Sequence, residues 1–399
     1  MIRLTSKRIK EGLAWRAKRI VRSIRRQTPE KFLWQWQLWR RSREFRTDHN
    51  YNLGLVDKGF LDRSEATTDD TQLLERIITA YNKAKVVQEG MGPSFKPSNE
   101  WLPIYQHKLA SIMRVLKEGS TCELGRIYRN FFRDPCSAGL HGLPINMNEY
   151  YFGNRISRWS KMYLLNDAIH RYRLWKSMLG RAADIRRLSV PNIGNPYGVY
   201  FDGTLVNCGF YQHYYATLIA RLTKGREKRA ILELGGGYGG MAYFLIRDDP
   251  KLTYIDFDLP ENMALTAYYL LKAFPSRRAL LFGESVLSLA TLEEYSIIVM
   301  PSFAITQLPD KSVDLAYNSY SLAEMAPDTI RTFVSEFTRL ARRYILHVNH
   351  NQVSQVVADD FGIDADGRFE LLYKIPALWS LGINPQGDEY EYLYQATGT

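Results

Sequence analysis

The residues most capable of chemistry lie in one run, Ile231-Leu232-Glu233-Leu234-Gly235-Gly236-Gly237-Tyr238-Gly239-Gly240-Met241. Its apolar start, glycine-rich middle and helical continuation predict a strand that turns sharply into a helix. Glycines at such a turn tighten the chain and let the backbone approach a bound molecule closely, at the carboxyl end of the strands where open sheets bind ligands. Two chemistries fit. Gly235, Gly237 and Gly240 satisfy GxGxxG, the cradle for the pyrophosphate of a nicotinamide dinucleotide. Glu233, Gly235, Gly237 and Gly239 equally satisfy an acidic residue followed by three alternate glycines. Glu233 stands where a dinucleotide fold usually continues its apolar strand, and a carboxylate there suits the ammonium of a methionine moiety, which favours S-adenosylmethionine. The next apolar segment ends Tyr254-Ile255-Asp256-Phe257-Asp258-Leu259-Pro260-Glu261, placing a carboxylate about 20 residues on, where it can accept both ribose hydroxyls. Asp258 is the preferred ligand and Asp256 the alternate, although a strand-end Asp can also cap a helix that starts at Pro260 or Glu261.

Positioning such a loop takes a parallel sheet, and the chain beyond residue 228 reads as one. Apolar strands are expected at Arg229–Leu234, Leu252–Phe257, Ile297–Pro301, Val313–Asn318 and Tyr344–Val348. Helices are expected at Gly239–Arg247, Glu261–Phe274 and Ile330–Ala341. This alternation implies right-handed crossovers and a sheet covered on both faces. Phe369–Lys374 and Tyr390–Tyr394 have no helix between them and predict a terminal pair with one antiparallel strand. Upstream, Tyr51 to Arg187 is mostly helical: Leu73, Leu74, Ile77, Ile78 and Tyr81 recur at helical spacing, as do Ile112, Val115 and Leu116. Further helices are expected from Ile156 through Leu179 and from Tyr211 to Leu222, with Pro191, Gly194, Pro196 and Gly198 punctuating a linker between them. The expected organisation is a basic arm (1–50), a mainly helical region (51–194) and an α/β domain (195–399).

The glycine loop, the Asp258-Leu259-Pro260 strand end and the segment Leu308-Pro309-Asp310-Lys311-Ser312-Val313-Asp314-Leu315-Ala316-Tyr317-Asn318 together resemble class I methyltransferases. The continuation Asn318-Ser319-Tyr320-Ser321-Leu322-Ala323-Glu324-Met325, with Tyr344-Ile345-Leu346-His347-Val348-Asn349-His350, is similar to a family of sugar O-methyltransferases; the resemblance covers roughly residues 190–395. It implies an α/β fold, a Rossmann-like class I methyltransferase sheet preceded by the helical region, with S-adenosylmethionine as cofactor and a sugar or glycan hydroxyl as acceptor. It implies cofactor contacts at Glu233, Gly235, Gly237 and Asp258, and an adenine pocket near Ser302 and Phe303; Gly239, Asp256 and Asn318 complete the candidate set. Many methyltransferases carry an acid at the adenine position, which this sequence lacks, and Glu284 is a candidate substitute. A sugar hydroxyl is a poor acid, so its methylation calls for a base within hydrogen-bond reach, usually His. His350, two residues past a predicted strand end, leads the candidates, followed by Glu324 and His213; His347 is expected to be structural. Asp256, Glu324 and His347 or His350 offer ligand types for a divalent metal, but no tight spacing supports one, and none is favoured.

The net charge of +11 belongs to one arm, since residues 1–46 hold 15 Lys/Arg against 3 acids. Ile9, Leu13, Ala17, Ile20 and Ile24 form an apolar helical stripe among those bases, and Trp34, Trp36 and Trp39 follow. An interfacial helix on anionic lipid and a basic arm packed on protein are equally compatible with this pattern. Nucleic acid is disfavoured, because the rest of the chain is near neutral and carries no RNA-binding motif. No apolar run approaches the roughly 20 residues of a membrane span. Three widely spaced cysteines, Cys122, Cys136 and Cys208, form neither a zinc nor a disulfide pattern, so a cytoplasmic setting is expected, with peripheral membrane contact through the arm as one of the two readings left open. The rival functions are a nicotinamide-dependent oxidoreductase and a non-catalytic membrane- or nucleic-acid-binding module.

Overall fold

The structure, a computed structural model, describes residues 29–64, 69–97, 101–140, 156–207, 209–225, 227–351, 356–380 and 388–398. The predicted stripe Ile9–Ile24, as well as His141 and Cys208, lies outside them. The helical region contains α1 (Pro29–Phe45), α2 (Leu53–Gly59), α3 (Thr71–Glu89), α4 (Ala110–Glu118), α5 (Thr121–Tyr128) and α6 (Arg158–Leu179). Local chemistry sets several of its boundaries. Ser120 and Ser157 accept the backbone N–H three residues on, at 3.3 and 3.0 Å, and so cap α5 and α6. Gly119 ends α4 in the left-handed conformation at φ 76°.

A hairpin follows, β1 (Val199–Phe201) and β2 (Thr204–Val206), inside the stretch expected to be a linker. Its turn is Asp202-Gly203, with φ of 45° and 83°; this dipeptide between apolar residues is a type I′ hairpin signal. The chain then runs through α7 (Gly209–Leu222), β3 (Arg229–Leu234), α8 (Gly240–Asp248), β4 (Leu252–Asp258), α9 (Pro260–Ala273), β5 (Ala279–Leu281), α10 (Leu289–Glu294), β6 (Ile297–Pro301), β7 (Val313–Ser319), α11 (Pro327–Leu340), β8 (Ala341–His350), β9 (Phe369–Pro376) and β10 (Glu389–Ala396). The three-residue β5 and the one-and-a-half-turn α10 have too few residues to display a period, and periodicity does not find them.

The eight-stranded sheet has the order β5-β6-β4-β3-β7-β8-β10-β9. Strands β5 to β8 are parallel, whereas β10 runs antiparallel to both β8 and β9. The reversed strand of the terminal pair is therefore β10. Every residue of β4 and β6 is buried, as a parallel sheet covered on both faces requires. The chain steps outward from β3 to β4 and β6, then returns to β7 on the other side. That reversal opens a crevice beyond the carboxyl ends of β3 and β7. This order, with one reversed strand beside the edge, is a Rossmann-like α/β sheet of the kind expected from the sequence.

One apolar core runs from the helical region into the sheet layers. Its polar centre is Glu261, in the first turn of α9. Tyr81 of α3 and Tyr105 donate their hydroxyls to the two Glu261 oxygens at 3.3 and 2.5 Å, and Lys85 of α3 lies 3.0 Å away. Glu261→Ala leaves two buried hydroxyls without this acceptor and the Lys85 ammonium with Gln88 Oε1 but no carboxylate, and is expected to cost about 3 to 5 kcal/mol. Urea denaturation checks this; an unchanged midpoint would show that the helices hold to α9 by apolar packing alone.

Candidate functional site

A cavity of about 1140 Å³, counting its open mouth, occupies the crevice. Its floor is Glu233, Gly235, Gly237 and Asp258. Its walls carry Tyr211 and Gln212 of α7, Ser319 at the end of β7, and Tyr320, Ser321 and Glu324 after it, and Phe95, Lys96, Trp101 and Leu140 of the helical region roof it. The helical region thus completes the site that the sheet begins.

Gly235, Gly237 and Gly239 all have left-handed backbones, with φ of 79°, 65° and 85°. A Cβ at Gly235 would stand 2.5 Å from Ser321 Oγ. At Gly237 the nearest atom, on Leu140, is 3.5 Å away, so a side chain there would project into the cavity. Four amide protons of the loop, those of Gly235, Gly236, Gly237 and Gly239, already have partners. Gly235 N–H donates to Phe257 O at 2.8 Å and Gly239 N–H to Gly236 O at 3.0 Å. Gly236 N–H donates to Asp256 Oδ1 at 3.1 Å and Gly237 N–H to Asp258 Oδ2 at 3.0 Å. A pyrophosphate cradle needs such groups aimed at the ligand. Here they serve the protein, and three buried carboxyls surround them.

Burial dominates the titration of those carboxyls. It pushes Glu233 up to about 8, partly opposed by the Tyr254 hydroxyl that donates to Oε2 at 2.6 Å and reinforced by Asp258. It pushes Asp258 up to about 6 against the pull of Asn262, Leu259 N–H and Gly237 N–H. Asp256 is driven well above the usual range by burial and by its two acidic neighbours. Carboxyls held protonated in this way can ionise beside a cationic ligand, which favours their charged form, whereas an anionic ligand would oppose it. The folded protein retains a proton on Glu233 between its ordinary pKa of 4.5 and about 8, so stability falls as pH rises through that window. Melting temperatures should therefore decline over this range more steeply for the native chain than for Glu233→Gln. Parallel curves would place the cost elsewhere.

The candidate residues divide clearly. Glu233, Gly235, Gly237, Asp258, Ser302 and Glu324 line the cavity. Asp256 does not; it lies fully buried beneath the loop, holding Gly236 N–H. Asn318 is also a scaffold: its amide donates to Leu234 O and Ser321 Oγ, and its oxygen accepts from Asn349 at 2.9 Å. Phe303 packs edge-on against Phe282 behind the lining. Gly239 faces Leu270 and Thr266 of α9 and makes the turn instead of the contact. Glu284 is held by Arg76 and by Leu281 N–H, away from the cavity.

The three expected bases lie in different places. His350 pairs with Asp388 at 3.2 Å and packs against Tyr320, whose ring lines the cavity while His350 does not. His213 is fully buried between Trp175, which donates to its Nδ1 at 3.2 Å, and Phe244; burial lowers its pKa to about 4. His347 stacks on Tyr392 at 4.5 Å inside the core, with its pKa lowered to about 3 by the same cause. Glu324 alone of the three candidate bases reaches the cavity, where Trp101 Nε1 donates to its Oε2 at 2.9 Å. The ligand types considered for a metal stay apart, and no three His, Cys, Asp or Glu converge as a metal site among the described residues.

Sequence reasoning missed Trp101, Lys96, Tyr211, Gln212 and Tyr320. The first four are distant from the loop in sequence and carry no local pattern. Tyr320 lies inside a run that was singled out, but its φ of 66° is a strained choice for a non-glycine residue that only the backbone reveals. Its hydroxyl donates to Glu389 at 2.8 Å, which holds the ring at the cavity wall.

The sequence matches no family model, and no curated protein matches it. Among solved structures, the chain is similar to the pyocyanin biosynthetic protein PhzM at 9% identity, covering 48% of this chain and 56% of that one, with a TM-score of 0.33. A SAM-dependent methyltransferase from Aquifex aeolicus is 14% identical over 45% of this chain and 88% of that one, with a TM-score of 0.31. The magnesium protoporphyrin IX methyltransferase of Synechocystis, with bound SAM, is 11% identical over 58% and 97%, with a TM-score of 0.33. The chain spans about 56% of the length of the first of these.

Proposed function

We propose that this chain is an S-adenosylmethionine-dependent O-methyltransferase acting on a hydroxyl of a sugar or glycan. The observation that carries the cofactor assignment is the glycine loop in which the N–H groups of Gly235, Gly236, Gly237 and Gly239 are bonded within the protein and which is ringed by Glu233, Asp256 and Asp258. That site suits a ligand with a cationic end and a ribose better than a pyrophosphate, which would need those four groups for itself. The residues fit S-adenosylmethionine: Glu233 faces the cavity to receive the ammonium, Asp258 Oδ2 accepts one N–H and has capacity left for a ribose hydroxyl, and Gly237 leaves the floor open. The bound cofactor supplies a sulfonium-activated methyl group. Around it, the roof from the helical region excludes water, and Glu324 takes the proton of the acceptor hydroxyl.

A sugar acceptor is supported by the mix of groups on the remaining walls. Trp101, Tyr211 and Tyr320 present aromatic rings, while Glu324, Gln212 and Lys96 present polar atoms. Rings and hydrogen-bonding groups together suit a ligand with apolar faces and polar edges. Calorimetric titration with S-adenosylmethionine and with a reduced nicotinamide dinucleotide tests the cofactor, and binding of the dinucleotide alone would overturn it. Transfer of isotopic methyl into a fractionated cell extract tests the acceptor; label confined to protein or nucleic acid would remove the sugar.

A further inference from the structure

Helix α1 is amphipathic in an unusual sense. Its inner face is fixed to α6: Trp34 packs on Tyr163 with ring centroids 6.4 Å apart, Ser42 Oγ accepts from Asn166 at 3.0 Å, and Leu38 and Phe45 are buried. Its outer face is aromatic and basic. Phe32, Trp36, Trp39 and Arg43 follow at steps of four, three and four, so they share one stripe. The three aromatic residues are 63%, 47% and 37% exposed. Guanidinium groups flank them, Arg40 at 5.7 Å from the Trp36 ring, Arg43 at 4.3 Å and Arg46 at 5.4 Å from the Trp39 ring.

We propose that the Phe32-Trp36-Trp39-Arg43 face of α1 is a docking surface for an anionic phospholipid membrane. Large exposed aromatic side chains in a row mark an interaction site. The charge of residues 1–28, ten Lys/Arg and one acid, does not complement this face. Folding that segment back onto an arginine-bearing face would set like charges together. The partner must therefore be negatively charged and must also accept apolar rings. An anionic bilayer offers both at the correct depths: phosphates for Arg40, Arg43 and Arg46, and the boundary between headgroup and acyl chain for Phe32, Trp36 and Trp39. The basic residues 1–28 add long-range attraction to the same surface. No helix among the described residues is long and apolar enough to cross a membrane, so this contact is peripheral. It is independent of the cofactor and acceptor assignments.

Co-sedimentation of the full chain with vesicles tests it, using phosphatidylglycerol mixed with phosphatidylcholine against phosphatidylcholine alone. Binding is expected to the anionic vesicles only, weakening as salt rises through the range that screens surface charge. The Trp36→Ser/Trp39→Ser variant keeps residues 1–28 and every buried contact of α1, and should lose at least tenfold in vesicle affinity with an unchanged melting temperature. Arg43→Glu should act in the same direction. If the double variant binds anionic vesicles like the native chain, the face is not the docking surface. Equal binding to neutral vesicles, or preferential binding of single-stranded nucleic acid over both, would likewise overturn the proposal.

Discussion

Glu324→Gln is expected to lower the rate of methyl transfer by roughly 100- to 10,000-fold, the usual span for a lost general base, while leaving S-adenosylmethionine affinity within a few fold. The substitution keeps the shape of the side chain and an oxygen for the Trp101 indole, whose N–H donates at 2.9 Å. It removes the ability to hold a proton. Binding and chemistry should therefore separate, as they do when an interaction made mainly in the transition state is deleted. Single-turnover transfer at several pH values is the deciding measurement, because loss of a carboxylate base also flattens the rise of rate with pH. His350→Ala is the contrast. With its partner Asp388 it stands outside the cavity lining, behind Tyr320, and should leave the rate within about tenfold, the modest loss of a positioning group below the base range. A normal rate in Glu324→Gln together with a large loss in His350→Ala would reverse the two roles.

Gly237→Val should abolish cofactor binding. The backbone at Gly237 has φ 65°, where a side chain costs ~1 to 2 kcal/mol and a β-branched one more. The larger effect is steric. The space beside Gly237 is the cavity itself, bounded by Leu140 at 3.5 Å from a built Cβ, and two added methyl groups fill what the ligand must occupy. Calorimetry should show no heat of binding in a variant that still melts cooperatively. Retained affinity in such a variant would show that the loop does not hold the cofactor. Asp258→Ala is a milder case, since its carboxylate also ties Gly237 N–H, Leu259 N–H and Asn262 together; part of its effect will be on loop order.

The local pattern carried the sheet domain. Strand, glycine turn and helix at 229–248 are contiguous and strongly patterned, so period, composition and turn chemistry agree there, and most of the other strands and helices beyond residue 228 follow the same logic. Glu233, Gly237 and Asp258 were legible because a strand end facing a crevice is a consequence of connectivity, which is written in order along the chain. Asp258 was the preferred strand-end acid and does line the cavity. Asp256 shares its face by the period of two, but sits beneath the loop holding Gly236 N–H, which the sequence did not reveal. Which histidine or acid reaches the cavity was beyond reach as well. His350 follows a strand end as the rule requires, but Tyr320, from the neighbouring strand's exit, takes the position in front of it. The roof is the extreme case: Phe95, Lys96 and Trp101 enter the cavity lining through long-range contacts, Phe95 against Phe333 of α11 and Trp101 with Glu324, beside the Glu261 cluster that ties α3 to α9. Sequence by itself determined the sheet, its order of elements and the loop that opens the site, because those depend on near neighbours in the chain. Tertiary structure decided which side chains enter the cavity, because that depends on long-range packing, in which residues far apart compete for the same volume.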